Sequence, residues 1–263
     1  MGEWFETPPG QYLLAWEQAQ LDRAVADAFG YHALQVGLPE IDALRANRMP
    51  HRWCSHEGVV PPQRLLAVPP VDASVSTMPL PSTVALSCDA DALPFAANSL
   101  DLVVMPHTLE LADDPHRALS EATRVLVPDG RLVIVGFNPA SLWGARQRLG
   151  HLRRYMGLGS PECYLPSPGE FINYWRLRDW MRLLGLDIQS GRFGCYVPPW
   201  HSERWLQRWG WMERAGDRWW PVLGSVYVLE AVRRVPAMRL VGRVKRRRLR
   251  TAPAPAVVVN HHR

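Results

Sequence analysis

Lysine is almost missing from this chain: Lys245 is the only one among 30 basic residues in 263. The skew reflects a coding bias, so arginine at any one place says little about recognition. Cysteine is scarce too. Cys54, Cys88, Cys163 and Cys195 are scattered without a C-x-x-C pair, which argues for reduced thiols in a cytoplasm. No apolar run approaches the ~20 residues a bilayer requires, the longest lying near Arg131 to Phe137. The opening MGEWFETPPG has neither a basic start nor the apolar core of a secretion signal. His51, Cys54 and His56 form a single H-x-x-C-x-H cluster without a clear fourth ligand nearby, so no metal site is expected. Acid is absent from residues 235–263, whose eight basic residues leave a net −3 on the rest of a chain that totals +5. That tail reads as a disordered arm, with a solvated extension and a contact to nucleic acid or anionic lipid both open.

What is present is concentrated between Leu86 and Asn138. Thr83 to Cys88 is a short apolar and β-branched run that empties into an acidic loop at Asp89, as a buried parallel strand does. Leu93 to Phe95 folds back, Ala96 to Ser99 supplies turn chemistry, and Leu100 to Met105 makes the next strand. Asp113 or Asp114 can cap a helix beginning at Pro115, in which Ala118, Leu119, Ala122 and Val125 recur at helical spacing. Asp129 and Gly130 then turn the chain into a third apolar strand, Arg131 to Phe137. Ligands of open α/β sheets lie at the carboxyl ends of such strands.

The series DADALPF, SLDLVV and LADDPHRALSEATRVLVPDGRLVI resembles the class I S-adenosylmethionine-dependent methyltransferases, in particular the type 11 branch. Glu121, Arg124, Val125, Leu126, Pro128, Gly130 and Leu132 match the family's lead into its fifth strand, with Asp129 where a glycine is usual. The resemblance implies a Rossmann-like, doubly wound α/β sheet with an antiparallel C-terminal hairpin. It also implies S-adenosylmethionine as cofactor, an acid before LPF that reaches the adenine, and the strand after NS-x-D on the far side of the pocket. On that basis Asp89, Ala90 and Met105 are expected around the cofactor.

The first half of the family pattern is altered. Where a D-x-G-C-G-T-G motif would bring bare backbone against the cofactor, this chain has HALQVGLPE, with Gly37 alone remaining and Pro39 removing one donor. Between Gly37 and Asp89 stand eight prolines, which leave little room for two ordinary helices. Arg64 to Val68 is the predicted second strand, and Asp72 the candidate for the ribose acid, against a turn residue in a proline-rich loop.

The remaining elements frame one methyltransferase-like domain over 1–234. Tyr12 to Phe29 is an amphipathic helix; Ser167 to Leu184 is a helix with a Ser cap, stopped by Gly185. Leu186 to Tyr196 and Gly224 to Arg233 are the closing strands. Between them lies a helical insertion at about 197–222 that is rich in tryptophan and reads as core or interface packing, or as an aromatic pocket. Methyl transfer asks a protein to line up donor and acceptor and to exclude water. A hydroxyl acceptor also needs a base; His107 after LDLVVM is the candidate, with Glu110 next. Asn138 and Pro139 are expected to border the acceptor, with helix capping the competing role for Asn138. The expected function is methylation of a small molecule. The alternative is an inactive methyltransferase-like scaffold, attached to RNA through its tail. Oligomeric state is not readable.

Overall fold

The computed structural model describes residues 2–56, 85–156, 164–166, 171–200 and 202–235. Within them the strands are β1 (His32–Val36), β2 (His51–His56), β3 (Ala85–Ser87), β4 (Leu100–Pro106), β5 (Leu126–Phe137), β6 (Leu186–Gly194) and β7 (Val226–Arg233). The helices are α1 (Gly2–Phe5), α2 (Pro8–Ala26), α3 (Thr108–Leu111), α4 (Pro115–Val125), α5 (Leu142–Tyr155), α6 (Tyr174–Leu183), α7 (Glu203–Arg208) and α8 (Trp211–Trp219). The seven strands form one sheet in the order β3-β2-β1-β4-β5-β7-β6. The first five are parallel, and β7 runs antiparallel between β5 and β6. The order reverses between β1 and β4, which puts a ligand-binding crevice at their carboxyl ends.

Strand composition explains the layering. The central runs HALQV, LDLVVMP and RLVIVGF are apolar at nearly every position because both faces are covered. On one face Leu13, Leu21 and Val25 of α2 pack with Val104, Val135 and Phe137. On the other, Leu119, Ala122 and Val125 of α4 and Leu177 and Met181 of α6 pack with Leu34, Val103, Met105 and Ile134. Each large helix begins where a side chain can satisfy its free amides. Thr7 accepts from Gly10 N–H at 3.3 Å ahead of α2, and Asp114 accepts from Arg117 N–H at 3.0 Å ahead of α4. Asp129 takes a left-handed φ of 62° in the turn within β5, the conformation for which glycine is the usual residue.

Three expectations need correction. The second strand is His51–His56 and not Arg64 to Val68, a segment that lies outside the described residues. Residues 37–50 already meet the minimum of about a dozen that a parallel crossover needs. The strand is then fixed by stacking across the pair: the ring of His32 lies 5.1 Å from His51 and 5.4 Å from Trp53. His51 therefore faces away from Cys54 and His56, since residues three and five apart on a strand point to opposite sides. The helix expected from Ser167 begins at Tyr174, because Asn173 is extended and its Oδ1 accepts from Trp175 N–H at 3.1 Å. The expected single inserted helix is two, α7 and α8, separated at Trp209 and Gly210.

The loop after β1 is held from inside. Gln35, buried in the strand, donates its amide to the carbonyls of Leu38 (3.0 Å) and Ile41 (2.7 Å) and accepts from Ala43 N–H (2.9 Å). This lets Ile41, Ala43 and Leu44 close the core without a helix. Gln35→Ala would leave these buried backbone groups unpaired. Denaturant unfolding should show a loss of roughly 2–4 kcal/mol; a loss below about 0.5 kcal/mol would mean that the loop is held by other contacts.

Candidate functional site

The carboxyl edge of β1, β3 and β4 collects most of the residues singled out in the sequence. Gly37 ends β1 with φ of +75° and is half-buried; its N–H donates to Ser55 O at 2.9 Å. A Cβ built on it would stand 3.2 Å from Thr108 Oγ1, so the loops after β1 and β4 approach as closely as a glycine permits. The Thr108 hydroxyl reinforces this by donating to Val36 O. Leu38 follows with φ of +37°, a conformation that costs a non-glycine residue about 1 kcal/mol, and its side chain turns into the core under α2. The backbone path suited to a glycine-rich loop is thus retained, and the leucine side chain is directed inward.

Beyond β3, Asp89 is exposed and Ala90 is buried. Together with Asp91, Ala112 and Asp113 they line a polar cavity of about 210 Å³. Asp91 is engaged by Arg117 at 3.5 Å, whereas the Asp89 carboxylate has no partner among the described residues. Met105 is buried behind this edge, in the core shared by Leu34, Val36, Ala90 and Leu109. Asp72 lies outside the described residues. The strand that should carry the ribose acid ends at His56, and the next residue in the sequence is Glu57. This edge fits S-adenosylmethionine: an open carboxylate beside a small Ala90 suits a nucleoside, and a half-exposed, Cβ-free Gly37 suits close passage of the rest.

His107 occupies a different environment from the expected pocket mouth. Held at φ of 52° between β4 and α3, it is fully buried. Its Nε2 donates to Glu17 Oε1 at 2.7 Å and its Nδ1 to Glu110 Oε2 at 2.9 Å. The Phe137 ring lies tilted against the imidazole at 4.4 Å, and Glu110 accepts the Phe137 N–H with its other oxygen. Burial works against a charged ring, but the two carboxylates outweigh it and hold the His107 pKa up at about 10. Burial also raises the Glu110 carboxyl, although His107 pulls in the other sense. An imidazolium that donates from both nitrogens cannot take a proton from an acceptor, which is at odds with reading His107 as a base. Glu110, likewise buried, is consumed by the same cluster.

Glu17 was missed in the sequence, though a signal was there: a carboxylate sits on the inward stripe of α2, between Leu13 and Leu21. Asn138 is buried too, donating to Val222 O (2.7 Å) and Gly224 O (2.9 Å) and accepting from Ala140 N–H (3.0 Å). It clasps the end of β5 to the start of β7. On another flank of α2 an open cavity of about 480 Å³ is walled by Trp16, Gln20, Arg192, Phe193 and Tyr196, with Glu213 of α8 at its rim.

The cluster makes stability depend on pH. A histidine whose pKa is raised from 6.5 to about 10 gives its full contribution below pH 6.5 and loses it as pH climbs through about 10. Unfolding free energy should therefore decline between pH 6.5 and 10. His107→Gln should cost roughly 3–5 kcal/mol, because two buried carboxylates lose their cation. A flat profile and a cost near zero in urea titrations would refute the arrangement.

Three comparisons bear on this site. A family model described as a methyltransferase domain matches residues 67–134. Protein YafS of Escherichia coli (strain K12), itself uncharacterized, is 31% identical over 202 residues, spanning 76% of this chain and 70% of that one. The uncharacterized methyltransferase Rv3342 of Mycobacterium tuberculosis is 37% identical over 149 residues, 51% of this chain and 58% of the relative. Among solved structures, the S-adenosylmethionine-dependent methyltransferase of Mesorhizobium loti superposes with a TM-score of 0.50 at 13% identity, covering 82% of this chain and 96% of that one. Strand order, the edge around Gly37 and Asp89, and these likenesses agree: the chain belongs to the class I S-adenosylmethionine-dependent methyltransferases, of the type 11 branch, with S-adenosylmethionine as its cofactor.

Proposed function

We propose that this methyltransferase modifies a small molecule, at an acceptor atom that needs no protein base. The observation that carries the reading is the fully buried cluster of Glu17, His107 and Glu110. It fastens α2 over the end of β4, so the catalytic edge is roofed on that side by the protein's own helix. A cavity of about 480 Å³ alongside that helix falls in the range typical of small-molecule sites, and Trp16, Phe193 and Tyr196 offer flat walls. Both features suit a compact acceptor better than a folded polymer.

The cofactor supplies an electrophilic methyl group when bound, and the chain's task is to hold, orient and exclude water. We assign contact with the cofactor to Gly37, Asp89 and Ala90, with Met105 supporting Ala90 from the core. Asp89, without a partner among the described residues, is suited to accept a hydrogen bond from an amine at the nucleoside end. The ribose acid is assigned to Glu57, since β2 ends directly before it in sequence, in preference to Asp72. His107 is a positioning residue: as a fixed cation it sets the path of the β4 to α3 loop, and through Thr108 it holds Gly37 in place.

Calorimetric titration with S-adenosylmethionine and S-adenosylhomocysteine tests the cofactor assignment. Asp89→Ala and Glu57→Gln should each weaken binding by roughly ten- to a hundredfold, the weight of one charge-assisted hydrogen bond. Undiminished affinity in both variants would refute these contacts. Transfer of a labelled methyl group should appear in a low-mass fraction of cell extract; label in RNA or protein would contradict the acceptor class. The rate should show no inflection near pH 6.5, because His107 stays protonated up to about 10. A rise centred near pH 6.5 that disappears in His107→Gln would restore the histidine as the base.

A further inference from the structure

One face of the molecule keeps large apolar side chains in solvent that the fold does not use. In α5, Leu142 and Leu149 are 52% and 54% exposed and form one helical stripe with Arg146. Along the insertion, Trp205, Trp211 and Trp219 are 43%, 58% and 70% exposed. Contacts tie α5 to the start of the insertion. Trp143 donates its indole N–H to Val197 O at 2.6 Å, and Arg146 bonds Pro199 O while lying 4.8 Å from the centre of the Tyr164 ring. Tyr164 donates in turn to Trp200 O at 3.2 Å. The rings of Trp200 and Trp205 then stack at 5.7 Å, and Arg208 lies over Trp205 at 5.6 Å.

Charge indicates what could cover this surface. The sequence of α5, LWGARQRLGHLRRY, contains four arginines and no acid. Arg204, Arg208, Arg214 and Arg218 are interleaved with the tryptophans of the insertion, against Glu203, Glu213 and Asp217. Of the acids, Glu213 is turned inward, accepting from Tyr12 and from the amides of Cys195 and Tyr196. Exposed tryptophan and leucine interleaved with arginines match a bilayer interface. There indole sits at the level of the headgroups, leucine enters the acyl boundary, and arginine meets anionic phosphate. A second copy of the same face would set cations against cations.

We propose that α5 and the insertion from Trp200 to Trp220 form a docking surface for an anionic membrane, on which the protein lies without crossing it. The docking is independent of methyl transfer, and its test reads lipid alone. Full-length protein is sedimented with vesicles of phosphatidylcholine, with and without phosphatidylglycerol, while tryptophan fluorescence is followed. The protein should partition onto the anionic vesicles, shift its emission to the blue, and release as salt is raised. Trp205→Ser with Trp211→Ser, and separately Leu142→Glu with Leu149→Glu, should each weaken partitioning roughly tenfold or more, with unchanged circular dichroism because all four positions are exposed. Four outcomes overturn the proposal: no partitioning, equal partitioning to neutral vesicles, undiminished binding in both variants (which would assign it to the arginine-rich tail), or self-association abolished by the same substitutions without vesicle binding.

Discussion

Two carboxylates and one imidazolium, shut away from water, hold the active end of this molecule together. Glu17 belongs to the first long helix, His107 to the turn that leaves β4, and Glu110 to the short helix after it. Glu110 also fixes the last residue of β5 through Phe137 N–H. Each partner alone would be costly to bury, because an isolated ion loses its hydration. Together they offset one another's charge, with Glu17 Oε2 buried and without a hydrogen bond among the described residues, and they oblige three elements to meet at one point. The packing of α2 over the end of β4, the left-handed turn at His107 and the placement of Thr108 against Gly37 all meet there.

The altered first loop becomes intelligible beside this cluster. A glycine-rich loop stays close to a ligand because it has no side chains to interfere. Here a single glycine stands where the loop after β1 meets Thr108, and the next residue keeps a positive φ while its leucine side chain turns into the core. Gln35 then takes over a structural task, tying the carbonyls of Leu38 and Ile41 and the N–H of Ala43 from below where no helix stands between β1 and β2. The same edge can therefore present bare backbone at Gly37 while the rest of the loop is anchored by a buried amide and by apolar packing.

The fold was legible where local chemistry and tertiary packing agree. The run from Asp89 to Phe137 announces its strands by unbroken apolar residues, its helix by Asp114 and Pro115, and its turn by Asp129 and Gly130, and the structure follows it closely. The second strand was not legible, because HRWCSH has neither β-branched residues nor alternation of polarity; it is held by ring stacking with His32 across the pair, a contact no spacing reveals. The burial of His107, on which its proposed positioning role rests, was not legible for a related reason. Position after a central strand indicates nearness to the site, but whether a ring faces solvent or two carboxylates depends on Glu17, 90 positions away. Asn138 was placed at the right edge, where its amide proves to be spent on Val222 and Gly224.

The protonation state of His107 is the most direct point of attack. Nitrogen-15 resonances of its ring, recorded across the neutral and mildly alkaline range, should show both nitrogens protonated and unmoved well above pH 6.5, since the ring titrates only at about 10. A neutral tautomer that appears with a midpoint close to 6.5 would mean that the ring is neither locked nor charged, and the account of a roofed edge built on a buried cation would be wrong.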